Sequence, residues 1–428
     1  MNLFLKSNIK QIRKGGINLF IKKLVRLFLL VRLLPIYVIA LFFVLIIRII
    51  KPFLLIRFRG IYSARIGHFA GETEQYLCER DSNINTPNRR YLDIFYLAHK
   101  PICNKYLGKM WGRIINIWPA FFVKPIHNLN KLIPGFQAHE IGNNTSWDRD
   151  VHNLLDKLPS HLTFTDEEKS KGKAFLKSIG IKKGEKFVCL HVRDDSYLKK
   201  SLKNIDFSYH DYRNSDIDNY VLAAEALADL GYYVLRMGVH VNKKIPTENP
   251  KIIDYASSKL RTDFLDIYLA GHCSFCISTG SGFDNIITIL RTPIVFVNML
   301  PVGYSILFSK SYLLIPKHHY SLKLKRRLTM SEIFSFGVGF CKKSECFDEK
   351  NIDVIENTPE EIKEAALEMV MRIEGSWDMN SQDILNQEKF KEIFPNNAID
   401  PISKQKLHGK IESNISSYFL RENPEWLN

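Results

Sequence analysis

The sequence predicts an α/β protein with two parallel-sheet domains, helices covering both faces of each sheet. Three observations carry that expectation. Strand-like apolar runs alternate with helix-like amphipathic runs along most of the chain. The alternation falls into two series separated by a polar, turn-rich linker near residues 150–180. The apolar run "CSFCIS" ends in the loop "STGSG", which leads straight into a helical segment.

The elements follow in order. "PFLLIRFRG" and "YLDIFYLA" are strand candidates of the first series; "TEQYLCER" and "KMWGRIINIW" are its helices, with "IYSARIGHFAGE" as a loop before the first. "FTDEEKSKGKAFLKSIGI" is a helix capped near Thr165. "KFVCLHV", "YYVLRMG", "FCIS" and "PIVFVN" are strands of the second series. Between them stand helices at "DIDNYVLAAEALADLGY", "TDFLDIYLAGHC" and "FDNIITILRT", and "PEEIKEAALEMVMRI" opens a helical tail. The boundaries that result are 1–59 for a basic hydrophobic segment, 60–165 and 180–355 for two Rossmann-like domains, and 356–428 for C-terminal helices packing back on the body.

The chain has 428 residues, 46% hydrophobic and 25% charged, an ordinary globular composition. Its net charge of +15 is local: 12 Lys or Arg and no Asp or Glu lie between Met1 and Arg59, so the other 369 residues carry only +3. A nucleic-acid-binding protein more often carries its basic patch on the folded domain, and no nucleic-acid partner is expected. Leu33 to Ile47 is uncharged throughout, shorter than the roughly 20 residues of a clean span, and no small-residue cleavage site follows it. Residues 1–59 therefore read as a helical membrane anchor lying in or dipping into an anionic leaflet, with a buried core helix as the alternative. Seven cysteines, four inside apolar runs, suit free buried thiols in a reducing compartment. Cys273 and Cys276 have a CxxC spacing, but the residues between them continue a strand.

In open parallel sheets ligands collect where strands end and helix N-termini begin. Ser278, Thr279, Gly280, Ser281 and Gly282 stand at such a junction, where glycine permits close approach of an anion and the hydroxyls add donors. The spacing is neither GxGxxG nor a P-loop, and a plain strand-to-helix turn is the alternative. His191 and Arg193 end one neighbouring strand, Arg236 and Gly238 another, and Arg213 precedes a helix. Arginines opposite a Gly/Ser loop suit a diphosphate leaving group. In the first series, His68 or a carboxylate (Glu72, Glu74) is a candidate general base, the alternative for the acids being helix N-terminal charge. Asp216 and Asp218 have a metal-like spacing but open a helix, where capping by Ser215 or Asp216 accounts for them. No metal ligand is assigned and no cofactor expected.

The segments "RIGHFAGETEQYLCERD", "LHVRDDSYL", "YRNSDIDNYVLAAEALADLGYYVLRMG", "DFLDIYLAGHCSFCISTGSGFDNI" and "YFLRENPEWL" together resemble a family of bacterial glycosyltransferases, of inferred activity, encoded in surface-polysaccharide gene clusters. "HVR" at a strand end is also similar to the His-x-Arg element of fucosyltransferase-type enzymes. The resemblance implies a GT-B fold of two facing domains, a nucleotide-sugar donor in the C-terminal one, and a lipid-linked or polysaccharide acceptor held mainly by the N-terminal one. With the free thiols and the anchor, which suit the cytoplasmic face of the bacterial inner membrane, and with arginines in place of a metal, the expectation is a metal-independent glycosyltransferase there. In that reading Arg193, Arg213, Arg236 and the Ser278–Gly282 amides stabilise the departing diphosphate, and His68 or Glu74 deprotonates the acceptor. A pyruvyl- or phospho-type transferase on the same fold and a non-catalytic membrane adaptor remain as alternatives.

Overall fold

The computed structural model describes residue 21 and residues 34–142, 149–196, 208–401 and 403–428. Most of the expected anchor (1–20 and 22–33), part of the turn-rich linker and the segment after Ser196 lie outside the described residues. Two compact units divide the chain, and they interleave in sequence. The smaller comprises residues up to Ile61 with Pro87–His99 and Ile115–Gly142; the larger comprises Tyr62–Thr86, Lys100–Ile114 and Asn143–Asn428.

In the smaller unit β1 (Leu55–Ile61) and β2 (Tyr91–Leu97) pair in parallel, Leu55 opposite Tyr91 through Ile61 opposite Leu97. Parallel bridges Phe58 to Glu140 and Phe95 to Ile117 extend the sheet on both sides. A helix over residues 34–50 precedes it, and Ala40, Val44 and Ile47 form a core with Phe58, Ile94, Tyr96, Val123 and Ile126. Spacings of four and three put those three residues on one helix face. Arg48 fixes the C-terminal end of this helix, its Nε donating to Asn130 Oδ1 at 2.8 Å and its Nη1 to the Pro134 carbonyl at 2.8 Å. The expected boundary at residue 59 is thereby corrected. It falls inside β1, and the helix preceding it is a wall of this unit's core rather than a detachable segment. Among the described residues, no helix is long and apolar enough to cross a membrane.

The larger unit is organised by a seven-stranded sheet: β3 (Phe187–His191), β4 (Tyr233–Arg236), β5 (Ile252–Ile253), β6 (Cys276–Ser278), β7 (Ile294–Met299), β8 (Tyr312–Pro316) and a C-terminal pair of residues, Asn414–Ile415. The spatial order is β5-β4-β3-β6-β7-β8 followed by Asn414–Ile415, with every pairing parallel. Counted from β3, this is the 3-2-1-4-5-6 order of a doubly wound Rossmann sheet with one strand added. Every residue of β7, "IVFVNM", is buried, as a central strand covered on both faces requires. Two helices start where the sequence places them, whereas the helix expected at "KMWGRIINIW" is Lys105–Trp111. Thr165 with Glu168 and Thr358 with Glu361 form capping boxes, the second opening Pro359–Glu374, which ends on Gly375 at φ +74°.

Three features differ from the sequence reading. The stretch "IGHFAGE" is not a loop: the helix begins at Ile66 and runs to Asp81, so Gly67, His68, Gly71, Glu72 and Glu74 are all helical. A three-stranded antiparallel sheet of His318–Ser321, Arg326–Arg327 and Ile352–Ile355 was not foreseen, its strands being only two to four residues long. Cys341 and Cys346 are disulfide-bonded, whereas Cys78, Cys103, Cys189, Cys273 and Cys276 are free.

Candidate functional site

The strand order reverses between β3 and β6, and at that switch point a doubly wound sheet leaves a crevice beyond its carboxyl edge. Several sequence-predicted residues meet there. β3 ends at His191, so Arg193 lies just past the strand, where alternation of faces no longer governs it. Its backbone N–H donates to Thr279 Oγ1 at 2.9 Å, tying the β3 end to the β6 loop. His191 stacks on Phe283, ring centres 5.1 Å apart, with its Nδ1 3.2 Å from Ser281 Oγ. The segment Asp211–Ser215 lies over the same edge. Arg213 Nη2 donates to the Gly280 carbonyl, Arg193 Nε donates to Asn214 Oδ1 at 3.4 Å, and the Ser215 N–H donates to the Arg193 carbonyl at 3.0 Å.

Arginines dominate the electrostatics at Arg193 and His191, with carboxylates close by. Burial, and then the Arg213 charge, push the Arg193 guanidinium down to about 10, outweighing the weaker opposing pull of Tyr212, Asp211 and Asp194. Burial with Arg236 and Arg193 pushes His191 down to about 4. Burial with Arg213, Arg193 and Arg65 does the same to His210. Both imidazoles are therefore neutral at pH 7, chiefly through burial and secondarily through the nearby arginine charges. Among the described residues neither Arg193 nor Arg213 forms an ion pair, and Arg213 Nε and His210 Nδ1 are buried without a hydrogen-bond partner. Clustered guanidiniums with unsatisfied donors lack a counter-anion, and a phosphate or diphosphate supplies one.

Beside this edge opens a cavity of about 570 Å³ whose charged lining is Asp194, Asp195, Asp211, Asp216 and Glu356 with Arg236, Lys243 and Lys317. That size suits a small ligand. Lys317 is buried, its Nζ donating to the Asn214 carbonyl at 2.6 Å. Arg236, the last residue of β4, borders the cavity but is already engaged, with Nη1 3.1 Å from the Lys243 carbonyl and 3.4 Å from Asp254 Oδ1. Gly238 sits at φ +154°, where a Cβ would come within 2.9 Å of Val241 Cγ1; the turn itself accounts for it. Asp216 caps the turn Ile217–Tyr220 by accepting from the Asp218 N–H, and Lys243 Nζ reaches Asp216 at 2.6 Å and Asp218 at 2.8 Å. A lysine thus takes the cation position between these two acids.

The Ser278–Gly282 loop is built differently from the simple cradle that its composition suggests. The buried Asp284 carboxylate accepts from Ser278 Oγ and from the Ser281 N–H, which removes both donors from ligand binding. Gly280 has φ +75°, and a Cβ there would come within 2.7 Å of Met299 Sδ. A Cβ on Gly67 would come within 3.0 Å of Gly282 Cα, so these two glycines permit backbone-to-backbone packing of the helix Ile66–Asp81 on the loop. Both loop glycines therefore serve the fold first. Their N–H groups donate to no acceptor among the described residues and remain the loop's available donors.

The two base candidates separate. His68 Nδ1 lies 2.8 Å from Glu72 Oε1 one helical turn on, one residue from the Gly67–Gly282 contact. Glu74 is fully buried, its Oε1 2.6 Å from Arg291 Nη2 and 3.1 Å from His161 Nδ1, and it belongs to an internal ion-pair network. Glu74, Cys78 and His161 lie close enough together to ligate a metal, but Arg291 Nη2 is also 3.6 Å from Cys78 Sγ and fills that position. Four residues of the edge were not singled out from sequence: Arg65, His210, Asp284 and Lys317. Arg65 alone offered a signal, standing directly before "IGHFAGE".

Fold and site together define a Rossmann-type α/β protein with two arginines, Arg193 and Arg213, at the edge of its switch-point crevice. No family model matches the sequence, and no curated protein matches it. Among solved structures it is similar to the ADP-heptose LPS heptosyltransferase II of E. coli: 14% identity, 61% of this chain and 90% of that one covered, TM-score 0.38. It is also similar to a glycosyl transferase family 9 protein from Veillonella parvula: 10% identity, 74% and 97% covered, TM-score 0.43. A protein from Listeria monocytogenes described as a UDP-N-acetylglucosamine 2-epimerase follows: 9% identity, 75% and 96% covered, TM-score 0.28. At TM-scores below 0.5 these likenesses carry no argument about the reaction.

Proposed function

We propose that the chain is a glycosyltransferase that moves a sugar from a nucleoside-diphosphate donor to a hydroxyl of a lipid-linked or polysaccharide acceptor in bacterial surface-glycan synthesis. The observation that carries the donor half is the meeting of the half-buried Arg193 and Arg213 at the β3–β6 edge, neither of them in an ion pair among the described residues. The preference for sugar transfer over other phosphate chemistry rests on the resemblance of the segments quoted above. In the reaction the acceptor O–H gives its proton to the His68 imidazole, oriented by Glu72 through Nδ1. The acceptor oxygen bonds to the anomeric carbon as the bond from that carbon to the diphosphate oxygen breaks, and the electron pair leaves with the diphosphate. Arg193 and Arg213, with the Gly280 and Gly282 N–H groups, meet the charge that develops there. Glu74 has no part in proton transfer, being held by Arg291 and His161.

With guanidiniums supplying the positive charge, no divalent metal is required. Donor hydrolysis, screened across nucleotide sugars and phosphoenolpyruvate, should appear with a nucleotide sugar and persist in excess EDTA. Turnover of phosphoenolpyruvate alone would replace this reading by the pyruvyl-transfer alternative. Abolition by EDTA with rescue by manganese would make Asp216 and Asp218 ligands after all.

A further inference from the structure

The helix over residues 34–50 is apolar on the face that looks away from its core as well as on the face that looks toward it. Leu34, Val38, Leu41, Phe42, Leu45 and Ile49 are exposed, Val38 by 62% and Ile49 by 74%, and their spacing places them in one stripe about 100° wide. From Leu34 through Ile47 the only polar side chain is that of Tyr37. The stripe continues beyond the helix at Phe53, 82% exposed. Sideways it connects from Phe42 to Phe43, from Phe43 edge-on to Phe122, and from Phe122 to the half-exposed Trp118. A contiguous apolar surface of this kind needs an occupant.

Charge identifies it. The described residues of the smaller unit include eight Lys or Arg and two acids. Asp93 is buried against Arg57, and Glu140 is bonded to His127 and Lys131. Residues 1–33 add eight cations and no acid. A second copy of the chain would set like charge against like charge, whereas an anionic lipid surface complements it. At about 1.5 Å per residue the helical stretch 34–50 is about 25 Å long, and its Ala40–Val44–Ile47 face is already covered by protein. A helix so placed is not surrounded by lipid, and among the described residues no helix is long and apolar enough to cross a membrane.

We infer that this helix lies in the plane of an anionic bilayer, its Leu34–Ile49 stripe among the acyl chains and the neighbouring Lys and Arg among the headgroups. The inference does not depend on the proposed glycosyl transfer. The test is sedimentation of the full chain with phosphatidylcholine vesicles containing about one-third phosphatidylglycerol, and with phosphatidylcholine alone. Wild type should bind the anionic vesicles strongly and the neutral ones weakly. Val38→Glu with Leu45→Glu, both at exposed positions, should weaken binding at least tenfold while circular dichroism and nucleotide binding stay unchanged. Undiminished binding of the double variant would assign attachment to the basic segment alone and overturn the inference. So would a wild type that ignores vesicles, whether it is a dimer that the double variant dissociates (a second copy covers the stripe) or a monomer (residues before 34 cover it).

Discussion

Replacing Arg193 by alanine is expected to lower donor turnover by about 10²–10³-fold, the loss typical of removing one preorganised donor to a developing negative charge. The effect is large because Arg193 is half-buried at the switch point beside Arg213, where the field acting on a leaving group is only partly screened by water. Its backbone contact to Thr279 is made by the N–H and survives the substitution, so the β3–β6 junction keeps its geometry. Arg193→Lys should recover only part of the loss, a point charge lacking the guanidinium fork. Turnover is read with each variant's circular dichroism spectrum as the control for folding. Undiminished turnover by a folded Arg193→Ala protein would remove the leaving-group role.

Glu74→Gln is expected to act on stability, by about 3 kcal/mol or more, because it leaves the Arg291 charge without its carboxylate partner. Burial opposes a charge on His161, but the Glu74 and Asp81 carboxylates outweigh it and hold the imidazole above its usual value. A histidine raised in the folded state contributes stability that is complete below its ordinary value of 6.5 and is lost as pH rises through the raised one. The gap between wild type and Glu74→Gln in urea denaturation should therefore be wider at pH 6 than at pH 8, the Arg291 part persisting at both. A gap below 1 kcal/mol at both values would show that Glu74 is not a structural anchor and would reopen it as a base.

How much of this was legible in the sequence depended on whether a signal is local. Strand and helix alternation is local, and so is the strand-to-helix junction at Ser278, which is why the α/β class and the Ser278–Gly282 junction could be read. What lay beyond reach depends on contacts across the fold. "IGHFAGE" looks like a loop because two glycines disfavour a helix, yet tertiary packing overrides that preference where Gly67 meets Gly282. The Ser278–Gly282 loop suggests an anion cradle, but whether its own Asp284 closes on it is decided by three-dimensional geometry. Glu74 resembles a site carboxylate until Arg291, 217 residues away, is brought against it. The run at Leu33–Ile47 has the composition of an anchor and of a core helix alike, and the structure gives it one buried face and one exposed one.

The central claim is that the crevice between β3 and β6 holds a nucleoside diphosphate on Arg193 and Arg213. Thermal unfolding of wild type, Arg193→Ala and Arg213→Ala with UDP, GDP, ADP, dTDP and CMP tests it most directly. At least one diphosphate at about 100 times its Kd should stabilise wild type by about 2.7 kcal/mol, CMP should do less, and both variants should lose the effect while unfolding cooperatively without ligand. Equal stabilisation of all three proteins, or none of wild type by any diphosphate, would contradict it.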